Sequence, residues 1–226
     1  MSPMYGNPYV HPASAASMNQ QATIEVLGEG TVQAAPDRAV IVLGAVTEGT
    51  NLTQIQAENA KITTAVIQSL LALGIPREHI QTQEYRIDTQ YDYPDGKQTF
   101  RGYKVTHLLQ VTTDRVEQTG AIVDAAVASG ANEVSSIRFT MAHPEVYEQK
   151  ALTKALRDAQ QKAVTIADTI GAQLSAVPIR VQEPAHAAEP VPYSVKFAVS
   201  AAASPTPIQP GQLTISATVR VWYLFA

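Results

Sequence analysis

The chain has 226 residues, a length that closes one large core or two small ones. Hydrophobic residues make up 45% and charged residues 16%, the balance of a globular chain and not of a disordered or fibrous one. Sixteen Lys and Arg against twenty Asp and Glu leave no basic excess for phosphates, which argues against nucleic-acid binding, and the absence of cysteine excludes disulfide frameworks, thiolate metal sites, iron–sulfur clusters and thiol catalysis.

The opening segment, residues 1–21, is rich in Pro, Ser, Asn and Tyr and predicts a disordered tail. The first basic side chain is Arg38 and no apolar block precedes it, so the sequence as written predicts no export and a cytoplasmic location. No apolar run approaches the ~20 residues of a membrane-spanning helix. From Ala22 to Ala34, Ile24, Val26 and Val32 share one parity of a strand, and Gly28 and Gly30 allow a bend or a close backbone approach. Pro36-Asp37 punctuates it, and Arg38–Val46 is apolar on both parities, as in a buried central strand.

Leu52, Ile55, Asn59, Ile62, Val66, Leu70 and Leu73 recur at steps of three and four and predict a helix over 51–73, closed by Gly74 and Pro76. Two strands follow, His79–Tyr93 and Thr99–Thr112, about the turn Pro94-Asp95-Gly96. Asp114 with Glu117 resembles a capping box opening a short helix that Gly130 ends. Val134–Met141 reads as a strand. Pro144 then opens a long helix with the stripe Leu152, Ala155, Leu156, Ala159, Ala163, Ile166, Ala167 and Ile170, ended by Gly171. Leu174–Val181 reads as a short strand, and residues 178–210 carry seven of the fourteen prolines, as in a loop or arm. Within that arm Val191, Tyr193, Val195, Phe197 and Val199 alternate. The final strand places Leu213, Ile215, Ala217, Val219, Val221, Tyr223 and Phe225 on one parity.

The element order predicts an α+β fold. Residues 38–141 form a ferredoxin-like β-α-β-β-α-β unit. Residues 22–35 with 143–226 form a second, discontinuous unit, a long helix packed on an antiparallel sheet.

Chemistry-bearing patterns are sparse, and the sequence nominates no catalytic, cofactor-binding or metal-binding residue. His11, His79, His107, His143 and His186 lie far apart and none pairs at H-x-x-x-H spacing. His107 falls on the apolar parity of its strand, the place of a hydrogen-bonded core histidine. Gly28-x-Gly30 is followed by Gln33, Pro36 and another strand, so the dinucleotide fingerprint fails. Phosphate-loop and nucleophile-elbow motifs do not occur. Glu25 with Glu29 and Asp88 with Asp92 would stand about 13 Å apart along a strand, wide for acid–base partners. Lys150, Lys154, Asp158 and Lys162 recur at i,i+4 and read as a solvent face held by ion pairs. Tyr85, Tyr91, Tyr93 and Tyr103 read as cross-strand aromatic pairs closing a hairpin, or as a binding platform. Asn51-Leu52-Thr53 matches a glycosylation sequon at a helix start and is discounted.

Taken in order, several pieces form a recognisable set: Ile24–Val32 followed by Pro36-Asp37, the Asn59 helix ending Leu73-Gly74-Ile75, and Ile80-Gln81-Thr82. Tyr91-Asp92-Tyr93, Gly102-Tyr103, Gly130-Ala131, the Ala-rich helix to Gly171, and Pro207-Ile208-x-Pro210-Gly211 before the last strand complete it. This set resembles the SIMPL-domain family over about residues 22–226, a family that includes periplasmic immunogenic and oxidative-stress-defence proteins of bacteria. The resemblance implies an α+β subunit that assembles into large ring- or channel-like homo-oligomers, with no catalytic residues to carry over, and a periplasmic or cell-surface location. The expectation is a non-enzymatic self-assembling protein of the cell envelope or stress response, with itself as partner and no cofactor. The alternative is a small-molecule or peptide binding module built on the tyrosines. An enzyme would need His107, His143 and carboxylates to converge. The arm 191–200 is expected to contribute to subunit contacts in an oligomer larger than a dimer.

Overall fold

A computed structural model describes residues 22–184, 191–193 and 206–225. The chain opens with β1 (Thr23–Ala34), crosses at Pro36-Asp37 and enters β2 (Arg38–Gly49). There follow α1 (Leu52–Ala72), β3 (Ile80–Asp92), β4 (Thr99–Thr113), α2 (Thr119–Ala128), β5 (Glu133–Thr140), α3 (Pro144–Ile170), the short strands β6 (Arg180–Gln182) and β7 (Val191–Tyr193), and β8 (Gln212–Leu224). The fold is α+β, built on two antiparallel sheets.

The first sheet has the order β3-β4-β2-β5, so β2 and β5, far apart in sequence, are neighbours. Its core lies under α1 and α2. Ile41 and Leu43 of β2, Leu109 and Val111 of β4, Val66 and Leu70 of α1, and Ile122 and Ala126 of α2 close on one another. The expectation that β2 is a central strand holds for its place, between β4 and β5, but only one parity is sealed. Ala39, Ile41, Leu43 and Ala45 are fully buried, whereas Val40 and Val42 on the other face are partly exposed.

Helix α1 runs within a residue of its predicted bounds because its caps are local. The Asn51 side chain accepts the Gln54 N–H at 3.1 Å, and Gly74, at φ +77°, takes the left-handed position after the last turn. The buried stripe is Ile55, Asn59, Thr63, Val66 and Leu70. Between β3 and β4, Asp95 (φ 52°) and Gly96 (φ 75°) both adopt left-handed backbone, the conformation that Asp and Gly tolerate best.

The capping box expected from Asp114 and Glu117 does not form. Arg38 holds Asp114 at 2.7 Å from β2, and a short 3₁₀ turn, Val116–Gln118, leads into α2 without a side-chain cap. The strand expected over Leu174–Val181 is also reduced. Ser175 N–H bonds to the Leu224 carbonyl and Ile179 N–H to the Trp222 carbonyl, so residues 176–178 bulge out between them, where Pro178 has no N–H to give. Regular pairing is left to Arg180–Gln182.

The second sheet has the order β1-β8-β6, with β7 also on β8. β1 pairs with β8 in unbroken register from Thr23↔Leu224 to Ala34↔Leu213. α3 lies over both strands, and Ala155, Ala159 and Ala163 meet Ile24, Val26, Val219, Val221 and Tyr223. Of the arm, Val191–Tyr193 pairs with Thr214–Gln212; residues 194–200 lie outside the described residues. The two sheets are tied at the β1–β2 crossing, where Asp37 N–H bonds to the Thr140 carbonyl and the Asp37 side chain accepts the Ala142 N–H. Asp124 of α2 also holds Thr206, ahead of β8.

Candidate functional site

Two sheet edges carry the distinctive geometry, and they are treated in opposite ways. β1 is the outer strand of the second sheet, and such strands expose unpaired backbone groups. Here α3 covers the stretch Leu27–Thr31. Gly28 and Gly30 remove the side chains that would stand between helix and strand: a Cβ on Gly28 would lie 2.0 Å from the Ala155 carbonyl oxygen, and one on Gly30 would lie 2.1 Å from that of Ala151. With the two backbones this close, three side chains of α3 reach the strand. Lys154 Nζ donates to the Thr31 carbonyl at 2.8 Å. Asp158 accepts the Glu29 N–H at 2.9 Å. Lys162 Nζ donates to the Leu27 carbonyl at 3.0 Å. Lys162 also pairs with Asp158 at 2.7 Å, and that hydrogen bond, followed by the one from Glu29, holds the Asp158 carboxyl below its ordinary pKa. The i,i+4 series read as a solvated face is thus a ladder over a strand edge. Lys150 lies outside it, over the Tyr147 ring at 5.1 Å.

β3 ends the first sheet and has no such cover among the described residues. Its helix-side face beyond α1 is aromatic. Tyr85 (48% exposed), Ile87 (39%) and Tyr91 (42%) stand on β3, with Phe100 (46%) beside them on β4. The rings meet edge to face: Tyr91 with Phe100 at 6.1 Å, Phe100 with Tyr103 at 5.1 Å, and Tyr85 with His107 at 5.1 Å. The tyrosines do pair across the hairpin, yet the pairs leave a contiguous apolar patch open, and such patches mark interaction surfaces. Phe100 was not legible as a member. A register shift between Gln90 and Tyr91 sets Tyr91 opposite it.

On the other face of β3, Arg86 lies between Glu84 (3.4 Å) and Asp88 (2.9 Å). At the inner end of the patch, His107 is partly buried, within 3.3 Å of Thr82 Oγ1, while Tyr85 Oη accepts from Gln56 Nε2 at 3.0 Å. Burial lowers the His107 pKa, favouring the neutral ring. His107 is therefore a hydrogen-bonded histidine at the margin of the core.

Beneath this cluster, Asn59 is 1% exposed and donates from Nδ2 to the carbonyls of Ala45 (2.9 Å) and Val105 (3.2 Å), joining β2 and β4 to α1. Asn132 plays a related part beyond the end of β5: its side-chain amide exchanges two hydrogen bonds with Val46, as a neighbouring strand would.

The other sequence candidates scatter. His79 lines a cleft of about 180 Å³ with Pro76, Thr112, Asp114 and Arg115. There the hydrogen bond from Arg38 lowers the Asp114 pKa; burial opposes it, and the charges of Arg38, His79 and His143 add to the lowering. His143 Nδ1 meets Glu145 at 3.0 Å. Glu25 binds Trp222 Nε1 and Arg220 across the β1–β8 pair and does not face Glu29. His11 and His186 lie outside the described residues. Among the described residues no three His, Asp or Glu side chains are placed to hold a metal ion, and no helix is long and apolar enough to cross a membrane.

Comparison with known proteins agrees with the order of elements and motifs. The model of the SIMPL family, described as a protein of unknown function (DUF541), matches residues 24–223. The 26 kDa periplasmic immunogenic protein of Brucella melitensis biotype 1 is 29% identical over 211 residues, 89% of this chain and 84% of that protein. The uncharacterized protein YggE of Escherichia coli strain K12 is 25% identical over 150 residues, 66% of this chain and 61% of that protein.

Proposed function

This chain belongs to the SIMPL family, and we propose that it is a non-enzymatic, self-assembling protein. It builds a ring- or channel-like homo-oligomer larger than a dimer, with a cell-envelope or stress-defence role. The observation that carries this reading is the contrast between the two outer strands. The chain covers the Leu27–Thr31 stretch of the β1 edge with side chains of its own, while among the described residues nothing pairs with the β3 edge beside exposed Tyr85, Ile87, Tyr91 and Phe100. An unpaired edge next to an apolar patch is the arrangement that a further strand or subunit covers. The Brucella relatives are named as periplasmic, and on that likeness the periplasm is the proposed location.

The particle mass in solution tests the assembly. Light scattering of the full chain at micromolar concentration is expected to give one defined species well above twice the 24.2 kDa of the chain. A monomer at every concentration overturns the proposal. A monomer whose thermal stability rises with an added metabolite supports a binding module in its place.

A further inference from the structure

We infer that β3 is a pairing edge for a second copy of this chain, the two β3 strands running antiparallel about a two-fold axis at Ile87 so that Arg86 of each stands opposite Asp88 of the other. The inference rests on the assembly reading above and names its surface.

Three observations select this edge and this register. First, the middle of β1, Leu27–Thr31, is covered by the α3 ladder, while β5 is short and its pairing with β2 slips between Val42 and Leu43. β3 is longer, and among the described residues no further strand pairs with its outer side. Second, the β3–β4 register shifts between Thr82 and Glu84 and again between Gln90 and Tyr91. The straight run between those irregularities is residues 84–90, and its midpoint is Ile87. Antiparallel pairing about a two-fold opposes residues of equal parity, so an axis at Ile87 uses the whole run and sets Ile87 on Ile87, Tyr85 on Thr89 and Glu84 on Gln90.

Third, the charges fit that register and oppose its neighbours. Glu84, Arg86 and Asp88 share one face, with Arg86 already extended between the two carboxylates. An axis at Ile87 brings Arg86 opposite Asp88 twice. An axis at Arg86 sets Arg on Arg and Glu84 on Asp88, and one at Asp88 sets Asp on Asp, all like-charge pairs. An axis at Tyr85 opposes Glu84 and Arg86 but forces the irregularity at Gln83 into the ladder. On the helix-side face, the chosen register joins the Tyr85, Ile87 and Tyr91 patches of two copies across the axis.

The cysteine-free sequence gives a clean test on the full chain. Directly opposed residues in an antiparallel pair have Cα atoms about 4.5–5.5 Å apart, within the range a disulfide spans. Oxidised Ile87→Cys is expected to run as a covalent dimer on a non-reducing gel. Thr89→Cys alone is not, but mixed with Tyr85→Cys it links. Val134→Cys, on β5, serves as the background. Arg86→Asp or Asp88→Arg, each checked for wild-type circular dichroism, should weaken the β3-mediated association about tenfold, and the double exchange R86D/D88R should restore it.

If wild type is an oligomer, yet Ile87→Cys links no better than Val134→Cys and Arg86→Asp keeps the wild-type mass, the β3 surface is wrong and the assembly reading stands. If wild type is a monomer throughout, both fall. Should Arg86→Asp fail to fold, the cysteine series decides alone.

Discussion

Replacing Gly28 by alanine tests the seating of α3 on β1 with a single methyl group. That methyl would lie 2.0 Å from the Ala155 carbonyl oxygen, 2.7 Å from Ala159 Cβ and 2.8 Å from the Ala159 nitrogen. Two of these are backbone atoms, which cannot rotate aside as a flexible side chain would. To recover ordinary contact the helix must withdraw by roughly 1.4 Å, and the ladder bonds from Lys154, Asp158 and Lys162 cannot lengthen that far and remain hydrogen bonds. Overpacking of this kind costs about 1–3 kcal/mol, and the strained or broken ladder adds to it, for about 3 kcal/mol in all. In a chain of this size about 1 kcal/mol moves Tm by ~2–4 °C, so Gly28→Ala should melt about 6–12 °C below wild type. Thermal unfolding followed by circular dichroism gives the number. Leu27→Ala, one residue away with its side chain 47% exposed, is the control and should stay within about 0.5 kcal/mol of wild type. A Gly28→Ala protein melting within about 2 °C of wild type would refute the backbone contact from which the ladder is derived.

Two further outcomes follow from polar groups in and at the margin of the core. Asn59→Leu keeps the branched skeleton but leaves the Ala45 and Val105 carbonyls without their side-chain donor, so urea unfolding should show a loss of about 2–4 kcal/mol with little change in slope; a loss under ~0.5 kcal/mol would show that those bonds contribute nothing. Burial lowers the His107 pKa in the folded chain below the unfolded value of about 6.5, so the unfolded state binds more protons there. The stability this confers is fully present above about pH 7 and declines as pH falls through ~6.5; His107→Gln should flatten that decline, and an unchanged stability–pH profile would contradict the burial argument.

Where a single element sets its own pattern, the sequence was enough. The steps of three and four from Ile55 to Leu70 gave α1 because one helix face meets one core, and Gly74 ended it by a property of glycine alone. Parity along the last strand located Leu213, Ile215, Val219, Val221 and Tyr223 on the buried side for the same reason. What failed depended on a distant partner. Asp114 looked like a cap until Arg38, from β2, took its carboxylate. The Asp158–Lys162 pair forms as the i,i+4 spacing predicts, but the bonds from Lys154, Asp158 and Lys162 to β1 are not readable because that strand is more than a hundred residues away in sequence. The aromatic patch was half visible. Its tyrosines stood out by parity, but Phe100 joined them through a register shift that no periodicity announces.

The α3 ladder can be understood from the two repeats alone. Four residues of helix advance about 6.0 Å and two residues of strand about 6.6 Å, so an i,i+4 series and an i,i+2 series stay nearly in step when helix and strand lie side by side. The mismatch is about 0.6 Å per rung and accumulates in both directions from the centre. The short Asp158 side chain sits at the middle rung, where registry is tightest, and the long lysines sit at the outer rungs, where slack is needed. The polarity matches the groups engaged: the carbonyls of Thr31 and Leu27 accept from the cations and the Glu29 N–H donates to the carboxylate. One rung further on, Lys150 has left the series for Tyr147, and at the opposite end the next position is Ile166, which has nothing to donate. The closure therefore spans Leu27 to Thr31, the stretch where Gly28 and Gly30 bare the strand to the helix. Strand addition is then opposed at Leu27–Thr31 of β1, whereas β3 is the long outer strand that no strand pairs on its outer side among the described residues.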